Sequence, residues 1–279
     1  MSDTYKLLAG YDGSAASDDM LDELGRAGLP ETVEALVVSV TERWLPPPSM
    51  YEAMGAAELP QPKPASEIAS AGSERLRKLH PGWRVEAESA SGSPAKVLLR
   101  RARDWDASLI AVGAVGHGAI ERTLLGSVSH KIANSANCPV RISRGYLPDR
   151  QGPVRLVLAH DGQPGATTAV SRVAARCWPA GSEILLVACA ATHSPAEEYY
   201  WTHDVLDQAT QALQRSGLKV SSTFLMGDPR RVIVEEAARF EAECIFAGDN
   251  DRSAVERLLL GTVSSAILAR AHCTVEICR

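Results

Sequence analysis

The chain has 279 residues, 45% of them apolar and 23% charged. That is a globular composition, long enough for one large domain or two of about 140 residues each. The 29 basic and 34 acidic side chains leave a net charge of -5. This excludes a general nucleic-acid binder, which needs excess positive charge to displace counterions from phosphates.

No apolar run approaches the roughly 18 residues of a membrane helix. The start, Met1-Ser2-Asp3-Thr4-Tyr5-Lys6, lacks the basic-then-apolar layout of a signal peptide. A cytoplasmic location without membrane or nucleic-acid partners is expected. The cysteines Cys138, Cys177, Cys189, Cys244, Cys273 and Cys278 form no CxxC pair and read as small buried apolar groups.

In chain order, short apolar runs at Tyr5–Tyr11, Ala35–Val40, Val85–Ser89, Leu109–Gly113 and Val140–Ile142 read as strands. A second set follows at Arg155–His160, Ile184–Cys189, Val220–Leu225, Cys244–Gly248 and Val275–Ile277. Several are nearly continuous in Val, Leu, Ile and Ala, as in parallel strands covered on both faces. Trp44 to Ala65 carries six prolines and reads as a loop or extended insertion, because proline lacks the donor that helix and sheet need.

Ser93-Pro94 and Asp228-Pro229 open helices, with a capping side chain followed by a proline whose φ suits the first helical position. A further helix starts at Ser127 and runs to about Ala136. Val205, Leu206, Ala209, Ala212 and Leu213 share one helical face. The alternation predicts a doubly wound α/β architecture.

The chain is a duplication. Setting Gly92 on Gly227, an offset of 135, gives 20 identities in the 52 positions from Gly92 to Ser143, where chance gives about three. At the front, Leu7–Gly13 matches Leu156–Gly162 at an offset of 149. The 14-residue difference falls in the Pro-rich stretch. The expected units are residues 1–144 and 154–279, joined by a linker at 145–153.

In open α/β sheets ligands sit beyond the carboxyl ends of the strands. Asp12-Gly13 follows the first strand there. Gly113-Ala114-Val115-Gly116-His117-Gly118 follows the fourth, leading to Gly126-Ser127-Val128-Ser129. This reads as a phosphate cradle. Glycines allow positive φ and close approach of amides to an anion, and a helix beginning at Ser127 presents unpaired N–H groups and a positive dipole end. Ser127 and Ser129 add hydroxyl donors, and Asp12 can accept from a ribose hydroxyl or an adenine amine. There is neither a GxxxxGK[ST] phosphate loop nor a GxSxG nucleophile elbow, and no nucleophile matched to a base.

The spacing Gly113-x2-Gly116-x9-Gly126-Ser127 resembles the nucleotide-binding signature of universal stress proteins. The opening Leu7–Ser14, the Gly92-Ser93-Pro94 turn and the closing Cys138-Pro139-Val140 are similar to that family too, and the likeness covers nearly the whole chain in two copies. It implies, for each copy, a five-stranded mostly parallel sheet of order 3-2-1-4-5, with helices on both faces. It also implies an intramolecular pseudo-dimer through the fifth strands. The implied ligand is ATP or a related adenine nucleotide, with Mg2+ accompanying the triphosphate. Adenine would lie near Asp12 and the backbone of Val40, and phosphates at Gly113, Gly116, His117, Gly126, Ser127, Val128 and Ser129, with Gly13 and Gly118 completing the turns. The implied role is stress-response regulation without dedicated catalysis, with a regulatory protein partner. A non-nucleotide scaffold and a slow Mg-ATPase stay open as alternatives.

Two departures matter. Ala114-Val115 removes side-chain contacts in the first loop while leaving its backbone. In the second copy Asp251 stands where the first has Gly116. A carboxylate beside a phosphate costs about 4 kcal/mol at 4 Å and an effective dielectric near 20. Nucleotide is therefore expected in the first copy only. Asp161, Asp249 and Asp251 read as solvated loop acids ahead of a cation site. His160 reads as structural, His193 and His203 lack zinc-site partners, and Tyr199-Tyr200-Trp201 reads as helix packing. Arg100, Arg101 and Arg103 read as a wet helix face. Val140–Ile142 and Val275–Ile277 are equivalent edge strands expected to pair with each other. Arg141 and Glu276 would be an exposed pair worth about 0.2–1 kcal/mol. A homodimer of whole chains is a further expectation.

Overall fold

The computed structural model describes residues 4–42, 63–116, 125–145, 152–190, 196–249 and 260–279, with side chains inside the helix at 196–215 described from Asp204 onward. The readings placed on His117, Gly118, Asp251 and His193, most of the Pro-rich stretch, and the side chains of His203 and Tyr199-Tyr200-Trp201 lie outside those residues.

The first half runs β1 (Tyr5–Gly10), α1 (Ala15–Glu23), a single 3-10 turn (Leu24–Arg26) and β2 (Val33–Thr41). It continues with α2 (Ala65–Leu79), β3 (Arg84–Ser91), α3 (Pro94–Asp104), β4 (Leu109–Gly113), α4 (Ser127–Ser135) and β5 (Val140–Ser143). The second half repeats the order: β6 (Arg155–Ala159), α5 (Pro164–Ala174), β7 (Glu183–Ala190), α6 (Ala196–Arg215), β8 (Lys219–Met226), α7 (Pro229–Arg239), β9 (Cys244–Gly248), α8 (Thr262–Arg270) and β10 (Thr274–Cys278).

The strand order is β3-β2-β1-β4-β5-β10-β9-β6-β7-β8. Each half has the expected 3-2-1-4-5 order, but the two are not separate sheets. They fuse into one ten-stranded sheet because β5 and β10 pair antiparallel, with Val275 opposite Ile142, Glu276 opposite Arg141 and Ile277 opposite Val140. Every other pairing is parallel.

Strand alternation explains how the halves hold together. Val140, Ile142, Val275 and Ile277 belong to one apolar core shared by both halves, which also takes in Leu98, Ile132, Ile233 and Ile267 from α3, α4, α7 and α8. The opposite sheet face carries two separate cores. One lies under α1 and α2 around Leu21 and Leu76, the other under α5 and α6 around Val173 and Leu213. Side chains one residue along a strand point the other way, so Arg141 and Glu276 fall between these two cores.

They are not the exposed pair expected from the sequence. Arg141 is 3% and Glu276 0% exposed, because α1 and α5 close over them. The Arg141 guanidinium donates to Glu23 at 3.0 Å and to Glu276 at 3.3 Å. Arg176 pairs with the other oxygen of Glu276 and donates to the carbonyl of Ala27 at 2.8 Å. Two further contacts obey the pseudo-two-fold: Arg144 donates to the carbonyl of Leu268, and Arg279 to that of Ala133. Gly28, at φ +65°, lets the Trp178 ring close on the first half.

The helix starts follow the expected devices with one exception. Ser14 caps α1 by accepting from the Ser17 amide at 3.3 Å, and Asp228 caps α7 by accepting from Arg230 at 3.0 Å. Ser93 occupies the cap position of α3, but its side chain makes no capping bond, so Pro94 alone marks that start. Ala65, read as the end of the insertion, is the first residue of α2. The helical face read at α6 is present, with Leu206, Ala209 and Leu213 buried. Arg101 is less wet than expected, pairing with Glu88 at 2.8 Å. The cysteine reading needs one correction: Cys244, Cys273 and Cys278 are buried and Cys138 and Cys189 half-buried, but Cys177 is exposed, on the turn after α5. Burial pushes the Cys138 thiol up to about 11 and the Cys244 thiol up to about 12. Among the described helices none is long and apolar enough to cross a membrane.

Candidate functional site

In the first half the loops after β1 and β4 meet beyond the ends of their strands. The Asp12 carboxylate folds back on its own turn, accepting from the Ser14 amide at 3.0 Å and the Ser14 hydroxyl at 2.6 Å. Gly13, at φ +76°, makes that turn possible. A Cβ built on Gly116 would lie 2.7 Å from the second Asp12 oxygen, so the two loops touch.

Between them opens a cleft of about 550 Å³, within the roughly 300–1,000 Å³ of ligand pockets. Val38, Val40, Leu98 and Val112 supply an apolar wall, and Gly113, Gly116, Gly126, Ser127, Val128 and Ser129 line the other side. Of the residues singled out in the sequence, Asp12, Val40, Gly113, Gly116, Gly126, Ser127, Val128 and Ser129 all line this cleft. Gly13 stands just behind Asp12. Glu42, at the rim, went unnoticed because a charged residue after a strand carries no pattern of its own.

The glycines act differently from the reading given them. Gly113, Gly116 and Gly126 do not have positive φ; what they provide is room. A Cβ on Gly113 would lie 2.9 Å from the Ala16 carbonyl oxygen, and one on Gly126 3.1 Å from that of Ala114. The loop is pinned by its own backbone. Ala114 donates to Ser143 and Gly126 to Ala114, both at 2.7 Å.

Ser129, expected to donate its hydroxyl to a ligand, donates it to the Gly113 carbonyl at 2.6 Å and is buried. It ties α4 to β4, and its remaining contribution is its amide. Among the described residues no side chain caps the start of α4, so the first amides of the helix face the cleft end with the positive end of its dipole. Tyr11 turns its hydroxyl to Asp18 at 2.7 Å. Burial, then that bond, holds its phenol above the usual range, so it stays a neutral donor.

The equivalent cleft in the second half holds about 170 Å³. Two substitutions between the copies explain the narrowing. Gly165 replaces Ala16, and without that methyl α5 rides closer to the end of β9. A Cβ on Gly248 would fall 2.2 Å from the Gly165 carbonyl carbon. Ala159 replaces Gly10 and places a methyl in the cleft lining. Asp249 is no cation ligand here, since its carboxylate takes the Arg279 guanidinium at 2.9 Å. Among the described residues no three His, Cys, Asp or Glu side chains cluster as a metal site.

His160, at the Tyr11 position, is buried, and its Nδ1 accepts from the Gly162 amide at 3.1 Å. Burial lowers His160, His80 and His272 below the ordinary histidine range. A group with a depressed folded pKa contributes stability that is complete above its unfolded value, near 6.5, and is lost as pH falls through the folded value, because the unfolded chain takes up the protons first. Stability measured by urea unfolding is therefore expected to fall on acidification below about pH 6.5. His80→Gln should flatten that fall; an identical slope would show that His80 plays no part in it.

A duplicated chain with parallel strands in 3-2-1-4-5 order in each half, and a cleft beyond their carboxyl ends, is a doubly wound open-sheet α/β protein. A model described as the universal stress protein family matches residues 4–144 and again 154–279. The chain belongs to the universal stress protein family. A universal stress protein of Mycobacterium tuberculosis is 25% identical over 99% of this chain and 97% of its own length. One of Bacillus subtilis is 41% identical over 23% of this chain and 43% of its own length. A universal stress protein structure from Archaeoglobus fulgidus covers 99% of both chains with a TM-score of 0.72 at 21% identity.

Proposed function

We propose that this chain binds ATP or a related adenine nucleotide in the first-half cleft and acts as a stress-response regulator without dedicated catalysis. Residues 1–144 would form the nucleotide-binding unit, 145–153 the connection and 154–279 a unit that takes no nucleotide. The observation that carries the reading is the difference between the clefts, about 550 Å³ against about 170 Å³. The larger one ends on helix amides that no side chain caps.

Adenine would lie against Val40 and Leu98, with Asp12 accepting from its amine or from the ribose. The amides of Ser127, Val128 and Ser129 would meet the phosphates, with Gly113, Gly116 and Gly126 giving the close approach and His117 and Gly118 continuing the loop. Mg2+ would enter on the phosphates and neutralise part of their charge near Asp12 and Glu42.

Isothermal titration should give one ATP per chain. Gly116→Asp places a second carboxylate against Asp12 and the phosphates, and should weaken ATP by about a hundredfold or more while the circular dichroism spectrum stays native. Two equivalent sites per chain, or unchanged affinity in folded Gly116→Asp, would overturn the reading.

A further inference from the structure

The two halves grip each other's cleft helices, but unequally. Arg144 and Arg279 are equivalent residues under the offset of 135. Each donates to a carbonyl in the last turn of the other half's helix, Arg144 to Leu268 in α8 and Arg279 to Ala133 in α4. Carbonyls at a helix end lack partners within the helix and form the negative end of its dipole, so a guanidinium is favourable there. The equivalence stops at that point. The Asp249 carboxylate, just past β9, holds the Arg279 guanidinium at 2.9 Å, and Arg172 of α5 donates to the Arg279 carbonyl at 2.8 Å. The first-half counterpart of Asp249 is Ala114, which has no charge to offer Arg144.

A second contact breaks the symmetry in the same direction. Asn134 of α4 accepts at Oδ1 from the Leu260 amide at 3.0 Å. The counterpart of Asn134 in α8 is Ala269, whose methyl cannot accept from Leu125. Asp249 and Leu260 are the described ends of the segment that joins β9 to α8. In the first half the corresponding segment is the loop of the proposed nucleotide cleft. Both ends of the second-half segment therefore bear on α4, and α4 supplies Ser127, Val128 and Ser129 to that cleft.

We propose that the second half regulates the first: Arg279 and Asn134 are positioning residues through which the β9–α8 segment sets the seat of α4, and with it the affinity of the first-half cleft for nucleotide. This rests on the nucleotide reading of that cleft. A helix of nine residues moves as one rigid element. Phosphates meeting its first amides favour one seat from the cleft end, and the Arg279 and Asn134 bonds favour the same seat from the other end. Two groups that favour one position of a shared element reinforce each other, and the reinforcement is reciprocal. Nucleotide must therefore tighten the Leu260 bond by the factor by which that bond tightens nucleotide. Neither Arg279 nor Asn134 lines the cleft, so the effect is transmitted and not a contact.

The test uses the full chain and residues exchanged between its halves, so the fold already tolerates each one at the equivalent position. Asp249→Ala installs the residue of position 114 and Asn134→Ala that of position 269. By calorimetric titration with Mg-ATP each should weaken binding about three- to tenfold, and the double variant about tenfold or more. Asn134→Asp, which keeps an oxygen acceptor for Leu260, should bind ATP close to the unaltered chain. Arg144→Ala cuts the opposite grip; it should lower the urea midpoint yet leave ATP affinity within about twofold, which separates positioning from a general loss of stability. Saturating ATP should slow hydrogen exchange at the Leu260 amide about fivefold or more in the unaltered chain, and should not slow it in Gly116→Asp. Unchanged ATP affinity in the folded double variant, equal weakening by Arg144→Ala, or Leu260 exchange indifferent to bound ATP would each overturn the inference while leaving the nucleotide reading intact. An unaltered chain that binds no ATP would overturn both.

Discussion

Arg141→Ala is expected to destabilise the protein by roughly 3–5 kcal/mol, read as a drop in the urea midpoint. The side chain is 3% exposed and is the cation between two buried carboxylates, Glu23 at 3.0 Å and Glu276 at 3.3 Å. Removing it leaves Glu276 with Arg176, but Glu23 with the neutral hydroxyls of Thr274 and Ser143 and, among the described residues, no assigned cation. The dominant penalty is the carboxylate left buried without its cation, more than the attraction lost. The double variant Glu23→Ala/Arg141→Ala should therefore be less destabilised than the two single losses combined, by at least about 1 kcal/mol. A single-variant loss under about 1 kcal/mol, the size of an exposed pair, would show that the network is wetter than the packing of α1 and α5 over it implies.

This network also marks where reading the sequence stops. The repeat offset places Arg141 opposite Glu276 across a two-fold, and the antiparallel register bears that out. Their burial is another matter. It depends on Glu23 at the end of α1 and Arg176 just past α5, residues 118 and 100 positions away in the chain, and no local pattern announces them.

The strands were legible because apolar runs buried on both faces are a local signal. The cleft loops were legible because Asp12 and the glycines sit at strand ends. The glycines' purpose was not. Positive φ and close approach give the same letter in the sequence, and only the packing of Ala16 against Gly113 separates them. Likewise the narrowing of the second cleft rests on Gly165 in place of Ala16, a one-methyl change inside a helix that looks neutral until its neighbour is known.

That neighbour gives the other large effect. Gly248→Ala should cost about 3 kcal/mol or more, because the new methyl would sit 2.2 Å from the Gly165 carbonyl carbon and 2.5 Å from the Ala166 amide nitrogen. These are backbone atoms of a packed helix, not the end of a flexible side chain, and overpacking of this kind forces the helix off the sheet. Gly113→Ala meets the Ala16 carbonyl oxygen at 2.9 Å and the Ala16 methyl at 3.2 Å, looser contacts than those at Gly248, and should cost less, about 1–3 kcal/mol. Gly261→Ala has nothing within 4 Å among the described residues and should lose no more than a helix cap, about 1 kcal/mol. The order of the three thermal or urea midpoints is the decisive result. If Gly248→Ala were no worse than Gly261→Ala, α5 would not lie as close to β9 as described, and the tight second cleft would lose its physical basis. If the order holds, the methyl missing at Gly165 lets α5 close on the end of β9 and, with the methyl added at Ala159, gives the second copy of the same fold its smaller cleft.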